Sequence, residues 1–380
     1  MHGDRGDDHG GCDVTTAEMV LRAMDLGTTG NEPTALARLD PFVDPAGAWI
    51  DAALRGSANA VRVALVAGLL GACGRIGFDE VPVDAASDTA GAGDGSSATT
   101  ACLAQWMDGS VSFSEPQELM ALASTGDDRD PWISSDGLRL YFDRNPGPHG
   151  GSDLFLATRT SLAVDFTTAS ALDNLDTGAD EAHAALNGDE TLLVLSRDNT
   201  SVAKFQIFVS TRSDVTTPFP APGPADQALV ATVNATPPAD YFDPFLSADG
   251  FRLYLAPMVT GAAQEIRMAT RAAGQDFGAA AVVPMINSGS GDAAPALSLD
   301  ERIIVFSSQR PAGSGLGRTN LWYATRQNAT DSFSMPTLIP GVNNDADDGD
   351  PMLSGDGCTL YLASTRDGGN HHLFRAQVTR

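Results

Sequence analysis

From residue 113 to the end, short apolar runs alternate with turn residues on a regular beat. A turn dipeptide falls at Asp136-Gly137, Asp189-Glu190, Asp249-Gly250, Asp300-Glu301 and Asp356-Gly357, spaced 53, 60, 51 and 56 residues apart. Before each lies a short apolar strand: Pro131–Ser134, Ala184–Asn187, Pro244–Ser247, Pro295–Ser298 and Pro351–Ser354. After each lies a second: Leu138–Phe142, Thr191–Leu195, Phe251–Leu255, Arg302–Phe306 and Thr359–Ala363. A third ends in Ala-Thr-Arg at Arg159 and Arg326, with Ser-Thr-Arg at Arg212, Ala-Thr-Arg at Arg271 and a looser copy over Leu373–Val378. A fourth, weaker strand follows a Phe, as in Asp331–Ile339. Segments this short, with a turn between each, exclude helices and a parallel sheet. Asp-Gly suits a two-residue hairpin because glycine accepts positive φ. Repeats of this length read as blades of four antiparallel strands. The expected fold is therefore all-β, a propeller of five four-stranded blades.

Phase decides how the ring closes. The repeats open on a fourth-strand segment, Phe113–Ala123, and stop after a third strand, so the N-terminal strand is expected to complete the fifth blade. Closure of that kind removes the open edges of an interrupted ring. Six blades are the alternative if the segment before residue 113 hides a degenerate unit.

The units resemble the WD40-like, TolB-type propeller family, whose core reads Asp-x-x-Pro-x-apolar-Ser-x-Asp-Gly. The resemblance covers about 113–380. Unit two departs from it at Ala184 and Asn187, and unit three has Ala256-Pro257-Met258 in place of Ser-x-Arg. Upstream, Val61-Arg62 and the apolar run to Ala72 precede Leu70-Gly71-Ala72-Cys73. A positive residue, a short apolar core and small residues form a secretory signal. With cysteine directly after, this resembles the lipobox of bacterial lipoproteins, which implies a diacylated Cys73 as mature N-terminus. The expected organisation is a mis-annotated leader over 1–60, a signal peptide over 61–72, a flexible tether over 73–112 rich in small and polar residues, and the propeller over 113–380. Gly74 follows the cysteine where aspartate would signal inner-membrane retention, so the resemblance implies the outer membrane of a Gram-negative bacterium, on its periplasmic or surface face.

The cysteines fit ring closure. Apart from Cys12 and Cys73, only Cys102 and Cys358 remain, and Cys358 lies at the hairpin of the blade the N-terminal strand should join. In an exported protein a Cys102–Cys358 bond is expected.

Charge narrows the partners. The 49 acidic against 23 basic residues give a net charge of −26, which repels nucleic acid and anionic lipid. Lys204 is the only lysine in the sequence, so lysine-based chemistry has almost no candidate. There is no Gly-x-Ser-x-Gly to support a serine nucleophile. The acidic approach to each inner strand is the most suggestive chemistry. It includes Asp128 and Asp130, Glu181 with His183, Asp243, Asp292, then Asp348 and Asp350. Were the inner strands to surround a channel, these residues would ring its mouth. They would form a dock for a basic peptide or a calcium site. Equally, they would cap turns and accept backbone N–H bonds between blades. The recurring arginines (Arg144, Arg197, Arg310, Arg366, and those ending the third strands) read as interblade salt-bridge partners of the aspartates. His371 and His372 are adjacent on a strand, point to opposite faces and cannot chelate together. The expected function is a monomeric envelope module binding a protein or glycan, touching the membrane only through its lipid, with no catalysis and no cofactor beyond calcium. The alternative is a glycoside hydrolase using a carboxylate pair at the mouth.

Overall fold

The dominant elements are short antiparallel strands, as short apolar runs cut by turn residues require. The structure, a computed structural model, describes residues 95–202, 204–235 and 240–379, with side chains from Cys102 onward. Five antiparallel sheets form a five-bladed β-propeller. The first blade contains β2 (Asp127–Ile133), β3 (Arg139–Asn145), β4 (Asp153–Thr158) and β5 (Ala169–Ala171). The second contains β6 (Glu181–Leu186), β7 (Leu192–Asn199) and β8 (Lys204–Thr211). The third runs β9 (Asp240–Leu246), β10 (Arg252–Met258), β11 (Arg267–Thr270) and β12 (Ala281–Val282). The fourth runs β13 (Asp292–Leu297), β14 (Ile303–Ser308), β15 (Asn320–Thr325) and β16 (Thr337–Leu338). In the fifth, β17 (Asp348–Leu353), β18 (Thr359–Ser364) and β19 (His372–Gln377) are completed by β1 (Gln117–Glu118) from the other end of the chain. The pairing is antiparallel, with Gln117 opposite Arg375 and Glu118 opposite Phe374.

The second blade departs from the expected four strands. Two short helices, α2 (Pro224–Ala228) and α3 (Ala231–Ala235), stand where its fourth strand would lie. Side-chain amides hold the strand edge there: Asn234 both accepts from the Ile207 N–H and donates to its carbonyl, and Gln227, at the place a fourth strand would pair, donates to the Val209 carbonyl. The edge of β8 is satisfied without a strand beside it.

Middle strands are sandwiched between neighbouring blades, so they are apolar on both faces: Ile303–Ser308 is buried throughout. Each turn is held by one repeated side chain. Ser134 Oγ accepts from the N–H groups of Leu138 and Arg139, and Asn187 Oδ1 does the same for Thr191 and Leu192, which explains why unit two tolerates Asn for Ser. Gly137, Gly250 and Gly357 occupy the turn with φ of 71°, 73° and 67°. Glu190 and Glu301 hold the same conformation, at φ 57° and 55°, despite carrying side chains. Compensation is visible at the interface with the preceding blade. Glu190 takes the Arg139 guanidinium at 2.6–2.9 Å and the Tyr141 hydroxyl at 3.2 Å. Glu301 takes Arg252 and Tyr254 in the same way. The two departures from Asp-Gly are therefore interblade ion pairs.

The arginine ending each third strand donates back to the second turn residue: Arg159 to the Gly137 carbonyl, Arg212 to Glu190, Arg271 to Gly250 and Arg326 to Glu301, at 2.6–2.8 Å. Each lies over a phenylalanine, respectively Phe166, Phe219, Phe277 and Phe333. The fifth blade has Val378 at this point, its N–H bonded to the Cys358 carbonyl. The donor comes instead from a helix, α1 (Gly95–Asp108). Trp106 is fully buried, its Nε1 donates to the Gly357 carbonyl at 2.9 Å, and its ring meets Phe113 and Tyr323 edge-on. Cys102, on the same helix, is disulfide-bonded to Cys358 across 256 residues of sequence. The expectation of a flexible tether reaching residue 112 is therefore corrected over its last part. A composition of small residues concealed one tryptophan and one cysteine that give the helix somewhere to bind. Cys73 and the 1–60 and 61–72 segments lie outside the described residues. Among the described residues no helix is long and apolar enough to cross a membrane.

Trp106→Ala is expected to cost about 3–5 kcal/mol, and reduction of the Cys102–Cys358 bond about 2–5 kcal/mol, measured by denaturant unfolding with and without reductant. A change below about 1 kcal/mol in both cases would remove the helix from the closure.

Candidate functional site

Each inner strand carries a β-bulge just before its apolar half, between Arg129 and Trp132, Ala182 and Ala185, Ala293 and Ala296, and Gly349 and Met352; in the third blade the shift falls opposite Tyr254 and Ala256. A bulge re-aims the residue it releases. Here the released residues are Asp130, His183, Asp243, Ala294 and Asp350, all with φ between 48° and 57°. Asp and His are among the few non-glycine residues that enter this left-handed region readily. The same backbone constraint that ends the ladder therefore selects the polar side chains that converge. Proline follows in four of the five units, at positions where the interrupted ladder needs no N–H.

These residues, with the prolines and alanines behind them, line a cavity of about 40 Å³ where the inner strands meet. His183 Nε2 lies 3.3 Å from Asp130 Oδ2 and 3.2 Å from Asp243 Oδ1. Its Nδ1 is buried with no hydrogen-bond partner. The Phe242 ring packs edge-on against the imidazole. Burial pushes the Asp130 carboxyl well above the usual carboxylate range, reinforced by Asp350, Asp143 and Asp243. Burial also raises Asp243, although His183 opposes the shift, and raises Asp350, with Asp243 adding to it and Arg129 opposing. Three carboxyls in one small space cannot all ionise without a counter-charge, and they titrate as a set. Chemically, such a ring holds shared protons or takes up a cationic group.

Only half of the residues expected at the mouth are there. Asp130, His183, Asp243 and Asp350 face the channel. Asp128, Glu181, Asp292 and Asp348, two residues earlier, are fully buried inside the blades. Each is paired with an arginine of the same hairpin at 2.6–2.7 Å: Arg144 and Arg197 stand directly across from Asp128 and Glu181, while Arg310 and Arg366 reach Asp292 and Asp348 from two residues beyond the facing Ser308 and Ser364. These bridges run within a blade, not between blades as expected. Each arginine also donates to a carbonyl in the incoming connector, from Leu122, Leu175, Ile286 or Val342. Breaking the pair would therefore free the loop as well as the strand. The third blade has lost both partners together, with buried Tyr241 opposite Pro257. That is the replacement a buried ion pair tolerates best.

One residue earlier again, the acids do latch blades together. Asp127 accepts from the His371 N–H, Asp180 from Ser152, Asp240 from Phe205 and Asp347 from Thr319, each donor belonging to the preceding blade. The acidic approach thus sorts by register into a latch, a staple and a channel lining. His371 and His372 go separate ways, to Asp127 at 3.1 Å and Glu118 at 2.7 Å. Asp143, which the sequence pattern did not single out, accepts from the His183 N–H at 3.2 Å and belongs to the same cluster.

No family model matches the chain, and no curated protein is similar to it. Among solved structures, TolB from Acinetobacter baumannii is 14% identical over 68% of this chain and 56% of its own, with a TM-score of 0.41. The chain thus spans little more than half of that protein's length. A thermostable family-43 glycoside hydrolase is 12% identical over 68% of this chain and 91% of its own, TM-score 0.47. The α-L-arabinofuranosidase PaAbf62A from Podospora anserina, solved with cellotriose, is 11% identical over 71% of this chain and 98% of its own, TM-score 0.48. These likenesses do not distinguish a binding module from an enzyme.

The ring sets a pH dependence. Asp130, Asp243 and Asp350 hold protons more tightly folded than unfolded, so their contribution is complete below the ordinary carboxylate range and declines as pH rises through their raised folded values. Above about pH 5, where ordinary carboxylates are already ionised, Tm should fall with rising pH, and Asp130→Asn should flatten the slope. A Tm that is constant or rises over that range contradicts the charged ring.

Proposed function

We propose that this chain is a cell-envelope lipoprotein, anchored through Cys73 in the outer membrane, whose propeller binds a partner protein and performs no catalysis. The channel-mouth carboxylates are the docking point, and what they receive is a positively charged group on the partner, an arginine, a lysine or an amino terminus. The observation that carries this is the convergence of Asp130, His183, Asp243 and Asp350 on a cavity of about 40 Å³. Sites for small ligands run to about 300–1,000 Å³, larger than this cavity, which favours a single side chain over a sugar ring as its occupant. Glycoside hydrolysis would also need two carboxylates standing apart across the scissile bond. Asp130 and Asp243 instead share one imidazole. A single cationic side chain suits the space and would add to the counter-charge that Arg129 and His183 bring to these carboxyls. The propeller's acidic surface would steer such a partner toward the mouth. Anchoring and location rest on the lipobox resemblance and the apolar run before Cys73.

Titration calorimetry with short arginine- or lysine-containing peptides tests this reading. Binding is expected, weakening with salt, and Asp243→Asn should reduce it roughly 10-fold or more, since a desolvated charge pair couples by about 1.5 kcal/mol or more. Absence of binding, or turnover of aryl arabinosides or xylosides that the same substitution abolishes, would overturn it.

A further inference from the structure

A second polar cluster lies away from the channel, at the outer side of the first blade, and neither the ring nor the blade staples account for it. In the connector to the next blade, three blades place an asparagine that grips the third strand by both its backbone groups. Asn234 does so at Ile207, Asn287 at Ile266 and Asn343 at Leu321. In the first blade this position is Asp176. Its Oδ1 accepts from the Leu154 N–H at 2.9 Å, as the asparagines do, but its Oδ2 is buried with no partner. Asp153, at the start of the same strand, is fully buried; its Oδ2 accepts from the His149 N–H at 2.6 Å and its Oδ1 is likewise without a partner. The loop 146–152 folds back so that the His149 imidazole completes the group, with ligand atoms of all three residues within 4.8 Å of one another. Nδ1 faces Asp153 at 3.4 Å, while Nε2 faces the exposed Asp173 at 3.6 Å. Burial pushes the Asp176 carboxyl up to about 7, an effect that the Leu154 N–H opposes and Asp153 and Glu181 add to.

We propose that His149, Asp153 and Asp176 form a binding site for one first-row divalent cation of the zinc or manganese class. Two buried carboxylate oxygens left without donors would otherwise each cost free energy. A cation placed between them satisfies both at once. One imidazole with two carboxylates is a mixed nitrogen and oxygen set, suited to zinc or manganese and not to calcium, which takes an all-oxygen shell. Asp173 stands where it can accept from the far imidazole nitrogen, the outer-shell carboxylate that commonly orients a metal-bound histidine. His149 is half-exposed and gives the ion a way in. The site would tie loop 146–152, β4 and the connector after β5 into one unit.

The test is calorimetry of the full, chelator-treated chain with zinc chloride and with manganese chloride, alongside thermal unfolding. One ion per chain and a raised Tm are expected. Asp176→Asn restores the residue the other blades use, so it should fold, keep the Tm of the metal-free protein and lose at least 100-fold in affinity. His149→Ala should weaken binding while leaving the metal-free Tm unchanged. Asp243→Asn, in the channel, should leave metal binding intact, which separates this site from peptide docking. No binding of either metal, which would mean that Asp153 and Asp176 merely share a proton, overturns the proposal. So does binding that survives Asp176→Asn or is lost with Asp243→Asn.

Discussion

The fold depends on the pairing of Gln117 and Glu118 with Phe374 and Arg375. Each blade leans on the next, so a circle of five has no natural first or last member, and any unpaired edge would template association with another chain. Taking the outermost strand of the last blade from the start of the domain converts a linear repeat into a closed ring. The chain reinforces that seam with contacts from outside the strands. Ser114 accepts from the Gln377 N–H, Leu119 donates to the Leu373 carbonyl, Trp106 caps the Gly357 carbonyl and a disulfide ties the helix to the hairpin. A seam closed by two paired residues needs these additions, because the other blades are continuous in sequence and this one is not.

Once the ring is closed, geometry divides the acidic residues by position. Three aspartate-rich registers look alike along the chain, yet they differ in what they touch. The outermost accepts an N–H from the neighbouring blade, the next neutralises a buried arginine and the last is turned inward by a bulge. Stability uses the first two, and only the third is free to meet a ligand. A backbone that forces φ near +50° at the innermost position favours Asp and His there, so structural need and binding chemistry coincide in the same residues.

The architecture was legible because its signals are periodic: turn dipeptides, alternating strands and a phase shift between the first and last segments survive any change of local detail. Even the partnership of Cys102 with Cys358 followed from that phase. What periodicity could not convey was register within the acidic runs. Asp128 and Asp130 are both carboxylates two residues apart, and only the bulge between Arg129 and Trp132 separates an arginine partner from a channel wall. Helix α1 was hidden for a different reason: Trp106 stands alone amid small residues, and its role is defined by the arginine that blade five lacks. The substitution of Asp176 for asparagine stands in plain register, five residues before the arginine-paired acid like Asn287 and Asn343, but nothing in the sequence says that this position grips the third strand.

Closure by the borrowed strand is the claim on which the channel, the clasp and the docking ring all rest. Amide hydrogen exchange on the intact propeller and on a chain beginning after Leu122 tests it directly. If the strand completes the last blade, the Arg375 and Gln377 amides that face it should lose most of their protection in the shortened chain, while Ile303–Ser308 in the fourth blade stays slow to exchange. Equal protection of the Arg375 and Gln377 amides in both chains would contradict the account.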